Sequence, residues 1–317
     1  MKQFHLLFLF ISIAINSQEY AKVDHLVLNY PRFTKVENLA KKIEKDFSTN
    51  KEKARAAFIW LANNINYDLE EYYNPKNRRY SFRYRNETER LQKIQEAKEK
   101  IVNIAFKTKK GICEQYAQAY KKICDLLEIE ATVISGNVRN SANEIGIIKN
   151  KTNHAWNAVK IDNKWLLLDA TWAAGSIING KWIKSYNNYF YNIPKEKIFK
   201  THLPEESIWI LRFGRITTKQ FYNQPIYNQG LLNSKAELLT PKNGTIAPDK
   251  ENNIQLTFEN FNENATLIYN FTGNRIAKKP LKEIVRNTTI FTIPNAKRNS
   301  ELNIFINGKI ALQYKVL

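Results

Sequence analysis

Three residues far apart along the chain have the types that nucleophilic acyl transfer needs: Cys113, His154 and Asp169. A thiol attacks a carbonyl as its thiolate, so a base must stand within hydrogen-bond reach of it. An imidazole base needs a further group behind it, to fix its tautomer and stabilise the imidazolium. Each residue sits in a distinctive stretch: Gly111-Ile112-Cys113-Glu114-Gln115-Tyr116-Ala117, Asn153-His154-Ala155-Trp156-Asn157 and Leu168-Asp169-Ala170-Thr171-Trp172. This order predicts attack by Cys113, proton transfer through His154 and orientation of His154 by Asp169. The backbone N–H of Cys113 would be one oxyanion donor. Gln115 and Tyr67 are candidates for the second, and Trp156 and Trp172 are candidate substrate contacts beside the two partners.

The elements that must hold these residues can be read from apolar spacing. Tyr116, Ala117, Tyr120, Ile123, Cys124 and Leu127 recur as on one helix that opens at Cys113. Unpaired N–H groups at a helix start favour an anion, so that position favours the thiolate. Gly111 is expected to allow a tight turn and leave room for substrate. Strands are expected at Ala131–Ser135, Ala155–Ile161 and Trp165–Ala170. A two-residue turn at Asp162-Asn163 would pair Ile161 with Lys164 and Trp156 with Asp169. His154 and Asp169 then share a face as diagonal neighbours, roughly 7–8 Å apart at Cα. A three-residue turn would put them on opposite faces.

Taken singly, each residue has a plainer reading: a buried small thiol, an ordinary strand histidine, a turn-forming aspartate. An apolar strand that ends in an unpaired carboxylate is harder to account for, because burying that charge costs several kcal/mol. A partner such as His154 removes the difficulty.

Amphipathic helices are expected over Thr34–Phe47 and from Thr49, each with a capping box (Thr34 with Glu37, Thr49 with Glu52). A longer one is expected over Glu87–Phe106. Helices followed by strands indicate an α+β domain. Beyond residue 240 short strands recur at Ile254–Phe258, Ala265–Phe271, Thr288–Ile293, Leu302–Ile306 and Lys309–Val316, the last two joined by Asn307-Gly308, a type I′ hairpin signal. That pattern predicts a C-terminal, Ig-like β-sandwich. The expected division is a leader at 1–17, a catalytic domain with N-terminal helices at 18–230, a linker at 231–240 and the β-sandwich at 241–317.

The chain has 317 residues, 43% hydrophobic and 25% charged, as a globular protein does. Its charged start, the apolar run from Leu6 to Ile15 and the polar Asn16-Ser17-Gln18 predict a signal peptide cut after Ser17. A secreted, periplasmic or cell-surface location follows, with no transmembrane segment. Cys113 and Cys124 on one helix would stand roughly 16 Å apart, too far for a disulfide. Cys113 is therefore expected free, and Cys124 a buried filler.

The formal charge of +19 predicts attraction to polyanions, which for an exported protein include cell-surface and cell-wall components. Arg and aromatic residues interleave at Arg78–Arg85, but a solvated loop explains them better than a nucleic-acid site. No Gly-rich phosphate loop precedes a helix, and the Cys and His spacings do not make a zinc site, so neither cofactor nor metal is expected.

Together the three stretches resemble the transglutaminase-like superfamily, in the branch similar to kyphoscoliosis peptidase. Phe58-Ile59-Trp60, Asn64-Ile65-Asn66-Tyr67-Asp68, Tyr189-Phe190, Phe199, His202-Leu203-Pro204 and Trp209 extend the likeness over roughly residues 54–211. The resemblance implies a papain-like core with a Cys113–His154–Asp169 triad, a protein or peptide substrate, and peptidase-like hydrolysis. Transamidation passes through the same thioester and stays open. So does a catalytically silent binding or scaffold role. Gln115 stands where the family often has glycine, which would narrow the space beside the thiol, and nothing here resembles the calcium sites of animal transglutaminases.

Overall fold

The computed structural model describes residues 20–75 and 83–317. The expected leader and most of the Arg–aromatic run, Arg78 to Phe82, lie outside the described residues. The chain divides into two compact units, one running through Ile134 and resuming at His154–Ile193, the other comprising Ser135–Asn153 and Pro194–Leu317.

The first unit opens with helix α1 over 20–28, then α2 (Val36–Asp46) and α3 (Asn50–Asn64). The Thr49–Glu52 capping box forms as expected, each backbone N–H donating to the other's side chain at 3.2 Å. Thr34 is not used in this way. Lys35 precedes the first turn of α2 without a side-chain cap, because the chain enters the helix later than the motif requires. Every residue of α3 from Lys53 to Leu61 is buried, as befits a central helix rather than an amphipathic one.

Arg55 on α3 is buried yet doubly paired to Asp24 of α1, at 2.7 and 2.6 Å. The Tyr20 and Tyr191 rings lie against its guanidinium. A paired, ring-covered arginine is the form in which such a charge is tolerated inside a protein.

Short strand β1 (Asn66–Tyr67) leads into helix α4 (Leu69–Tyr73), and helix α5 (Glu87–Thr108) ends at Lys109 in the left-handed conformation. Strand β2 (Lys110–Gly111) then pairs parallel with β1 and feeds helix α6 (Cys113–Leu126). Strand β3 (Ala131–Val138) begins in this unit. Strands β4 (His154–Ile161) and β5 (Lys164–Leu168) form the expected hairpin, with Ile161 opposite Lys164. Asp162 and Asn163 both adopt positive φ, 49° and 61°, as a type I′ turn demands. Strand β5 stops before Asp169 instead of running on to Ala170, because Asp169 caps the short helix α7 (Ala170–Ala174). The ribbon β6 (Gly175–Ile178) and β7 (Lys181–Lys184) closes the unit.

In the second unit, the end of β3 pairs with β8 (His202–Pro204), and the buried Arg139 donates to the carbonyls of Tyr222, Gln224 and Pro225. Strand β9 (Ile226–Tyr227) precedes two sheets. One has the order β10 (Glu237–Thr240), β12 (Ile254–Glu259), β15 (Thr288–Ile293), β14 (Leu281–Val285). The other has β11 (Thr245–Ile246), β17 (Lys309–Val316), β16 (Ser300–Ile306), β13 (Leu267–Phe271), with β9 also paired to β17. Alternate residues of β12, β13, β15 and β16 are buried, giving each sheet an apolar face. Asn307 and Gly308 make the predicted tight turn, at φ 49° and 75°. Strand β14, missed in the sequence, is an edge strand exposed along its whole length and shows no alternation. Strand β10 lies within the stretch expected as a linker. Among the described residues, no helix is long and apolar enough to cross a membrane.

Candidate active site

Cys113 is the first residue of α6, and the turn in front of it is tied from both sides. Ile112 donates its N–H to Gln115 Oε1 at 3.1 Å, so Gln115 caps the helix that carries the thiol. Gln115, a candidate oxyanion donor in the sequence, therefore has its amide oxygen engaged in this cap. On the other side, Asp68 N–H donates to Gly111 O at 3.1 Å, and Tyr67 lies in register with Gly111. Gly111 is not in the left-handed region that a glycine turn would use. Its lack of a side chain matters because a Cβ there would come within 2.7 Å of Gln115 Cβ.

His154 opens β4, and its Nε2–H donates to Asp169 Oδ2 at 2.7 Å. Asp169 is wholly buried. Its other oxygen accepts from Thr171 N–H at 2.8 Å and Trp172 N–H at 3.0 Å, while its own N–H donates to Phe190 O at 2.9 Å. The strand-to-helix transition thus serves the carboxylate, whose buried charge meets donors at both oxygens.

Burial alone would strip the proton from His154. The Asp169 carboxylate, the charge of Cys113 and hydrogen bonds to both outweigh it, and the imidazole's pKa rises to about 10. With Nε2 committed to Asp169, Nδ1 is the nitrogen left to serve a thiol. An imidazolium kept at neutral pH is the counter-ion that a thiolate needs.

Trp156 and Trp172 flank this imidazole, with ring centres 6.1 and 5.9 Å from it. Trp172 is itself set edge-on to Phe190 at 5.3 Å. Tyr67 is half-buried, and its phenol is held neutral well above the ordinary range, first by burial and then by the charge of Cys113. A neutral hydroxyl in the thiol's field keeps its proton to donate.

Asn157, the last residue of the Asn153–Asn157 stretch, ties its strand to both neighbours. Its Nδ2 donates to Ala117 O on α6 and to Thr132 O on β3, each at 3.0 Å. An amide set between the apolar pairs Ala155-Trp156 and Ala158-Val159 was the available signal. Cys124 is buried and its thiol is pushed up to about 12 by that burial; both cysteines are free, as expected. His202 lies in the second unit, buried, with Nδ1 2.8 Å from Thr201 Oγ1.

Residues 37–170 match the family model of the transglutaminase-like superfamily. Human kyphoscoliosis peptidase is 24% identical over 234 residues, covering 71% of this chain and 32% of that protein. The mouse protein of the same name is 24% identical over 194 residues, covering 59% of this chain and 26% of its own length. The chain thus spans about a third or less of these relatives. A solved TGase structure shares 21% identity at a TM-score of 0.30, covering 56% of this chain and 43% of that one. The likeness to the transglutaminase-like superfamily therefore extends over residues 37–170, the stretch that holds Cys113, His154 and Asp169.

Proposed function

We propose that the chain is a thiol-dependent acyl-transfer enzyme acting on peptide or amide bonds, with Cys113 as nucleophile, His154 as proton carrier and Asp169 as its anchor. The observation that carries this reading is the 2.7 Å bond from His154 to a wholly buried Asp169, on an imidazole whose proton the charge of Cys113, at a helix start, helps to hold. Cys113 Sγ attacks the carbonyl, and the C–N bond breaks as the His154 imidazolium gives its proton to the departing amine. Water, deprotonated by the now neutral imidazole, then attacks the thioester and releases the acid, restoring the thiol. A primary amine in place of water gives transamidation. The backbone N–H of Cys113 and the Tyr67 hydroxyl are the donors offered to the oxyanion.

Hydrolysis is the favoured outcome, and the relatives' printed name, peptidase, supports it by analogy alone. The same reading places the enzyme outside the cytoplasm, supported by the leader-like sequence of Met1–Ser17. The test is incubation with a peptide library, with and without a primary amine, followed by mass spectrometry. New peptide termini support hydrolysis and amine adducts support transamidation. Absence of both, with no acyl-Cys113 trapped, contradicts the reading and favours a scaffold role.

A further inference from the structure

Two features of the first unit flank the turn before Cys113, and apart from the Tyr67 hydroxyl neither has a part in the reaction described above. The first is a row of rings: Trp182 to Tyr67 at 5.5 Å, Tyr67 to Tyr72 at 5.6 Å and Tyr72 to Tyr73 at 5.1 Å. Its inner member, Tyr67, is in register with Gly111, while Tyr72 and Tyr73 are 46% and 58% exposed. Exposed aromatic side chains in an unbroken row are costly to leave facing water, and large exposed apolar patches commonly mark binding sites. The β6–β7 ribbon prolongs it with Ile177, directly across from Trp182 and also exposed.

The second is a group of cations. Lys109 Nζ donates to Phe33 O, beside Arg32, and to Phe106 O. Lys109 O accepts from Asn66 N–H, and Lys184 Nζ donates to Ile65 O at 2.6 Å and to Asn66 Oδ1 at 3.4 Å. Arg32, Lys109 and Lys184 are thereby gathered around β1, and the exposed Lys110 lies in register with Asn66. Among the described residues none of the four forms an ion pair with a carboxylate.

We propose that this surface receives the acyl-donor polypeptide, and that it selects a segment in which an acidic side chain adjoins a bulky apolar or aromatic one. The apolar side chain lies along Tyr67, Tyr72 and Tyr73. The acidic side chain meets Arg32 and Lys184, whose charges pair with no carboxylate among the described residues. Burial and then the charge of Arg32 lower both Lys109 and Lys184 to about 8, so the cluster strains against itself and an arriving anion relieves it. A polypeptide fits better than a neutral glycan, because Lys184 and Lys110 meet the chain at Asn66, next to Tyr67, and an uncharged sugar gives these cations nothing to bind. The proposal deepens the acyl-transfer reading and rests on its placement of the reacting carbonyl at Cys113.

Its test needs no turnover. The full chain carrying Cys113→Ala is titrated with fluorescently labelled peptides, and anisotropy gives Kd. A peptide pairing Asp or Glu with Phe or Leu is expected to bind at least about ten-fold tighter than its Lys-for-acid or Ser-for-Phe counterpart, since ~1.4 kcal/mol is tenfold. Arg32→Gln with Lys184→Gln should erase the preference for acid, and Tyr72→Ala with Tyr73→Ala the preference for the apolar side chain. Should Lys184→Gln fail to fold, Arg32→Gln alone, at an exposed position, carries the charge test. Equal affinity for acidic and basic peptides, a preference that survives these variants, or tighter tyrosine-dependent binding of a neutral oligosaccharide would overturn the proposal. Selective binding beside an unreactive Cys113 in the unsubstituted chain would leave this surface intact and remove the catalytic reading; a reactive thiol with unselective binding would do the reverse.

Discussion

Asn157 reaches from the strand that begins at His154 into the helix that begins at Cys113, donating to Ala117 O at 3.0 Å. The same amide holds Thr132 O, so one side chain fixes helix and strand against each other. Asn157→Leu keeps the volume and removes both bonds. The expected cost is about 1–3 kcal/mol, the range for leaving buried polar groups unmatched. Urea unfolding monitored by circular dichroism measures it, and a loss below about 0.5 kcal/mol would show that the amide is not a tie.

Asp169→Asn preserves shape and leaves an oxygen to cap α7, but it removes the charge behind His154. Peptide turnover is expected to fall by about two to four powers of ten, as when the anchoring carboxylate of a triad becomes an amide. The His154 pKa should drop well below about 10, because the Asp169 charge is the largest influence raising it. NMR titration of the imidazole reads this directly. An unchanged titration would mean that Asp169 does not hold the imidazolium.

The raised pKa of His154 fixes the sign of two pH effects. Folded His154 holds its proton more tightly than an unfolded histidine at about 6.5. Its contribution to stability is therefore fully present below that value and is lost as pH rises through about 10. The melting-temperature gap between the unsubstituted chain and His154→Gln should shrink over this window. Turnover should likewise decline on the alkaline side near pH 10, where the proton for the leaving amine disappears. A decline centred near the ordinary histidine value would contradict both.

Gly111→Ala tests the turn before the thiol. The new methyl would meet Gln115 Cβ at 2.7 Å, so the cap on Ile112 must shift and Cys113 with it. Reduced turnover is expected with only a modest loss of stability, of order 1–3 kcal/mol as for overpacking. Paired kinetics and thermal melts separate the two. Full activity would show that the turn is slack.

Much of this was legible in the chain itself. Asp162-Asn163 and Asn307-Gly308 set their hairpins by local turn chemistry, so register followed from sequence alone. The pairing of His154 with Asp169 was readable because an apolar strand cannot end in an orphan charge. Strand β5 came out short because Asp169 answers to two demands at once, the imidazole and the first turn of α7, and periodicity senses neither. Thr34 shows the reverse case, a local capping motif overruled by where the chain must enter α2. Gln115 needed coordinates too: its reach back to Ile112 and its closeness to Gly111 are contacts in space that spacing does not encode. The ring row from Trp182 to Tyr73 joins residues more than a hundred positions apart, so only the fold brings it into view.

The most direct measurement of the central claim is the alkylation rate of Cys113 by iodoacetamide at about pH 6, well below the ordinary thiol range. If Cys113 and His154 share a proton as an ion pair, labelling is fast and falls at least about ten-fold in His154→Ala, with Cys124 unlabelled in both. Slow labelling that is indifferent to His154 would contradict the account.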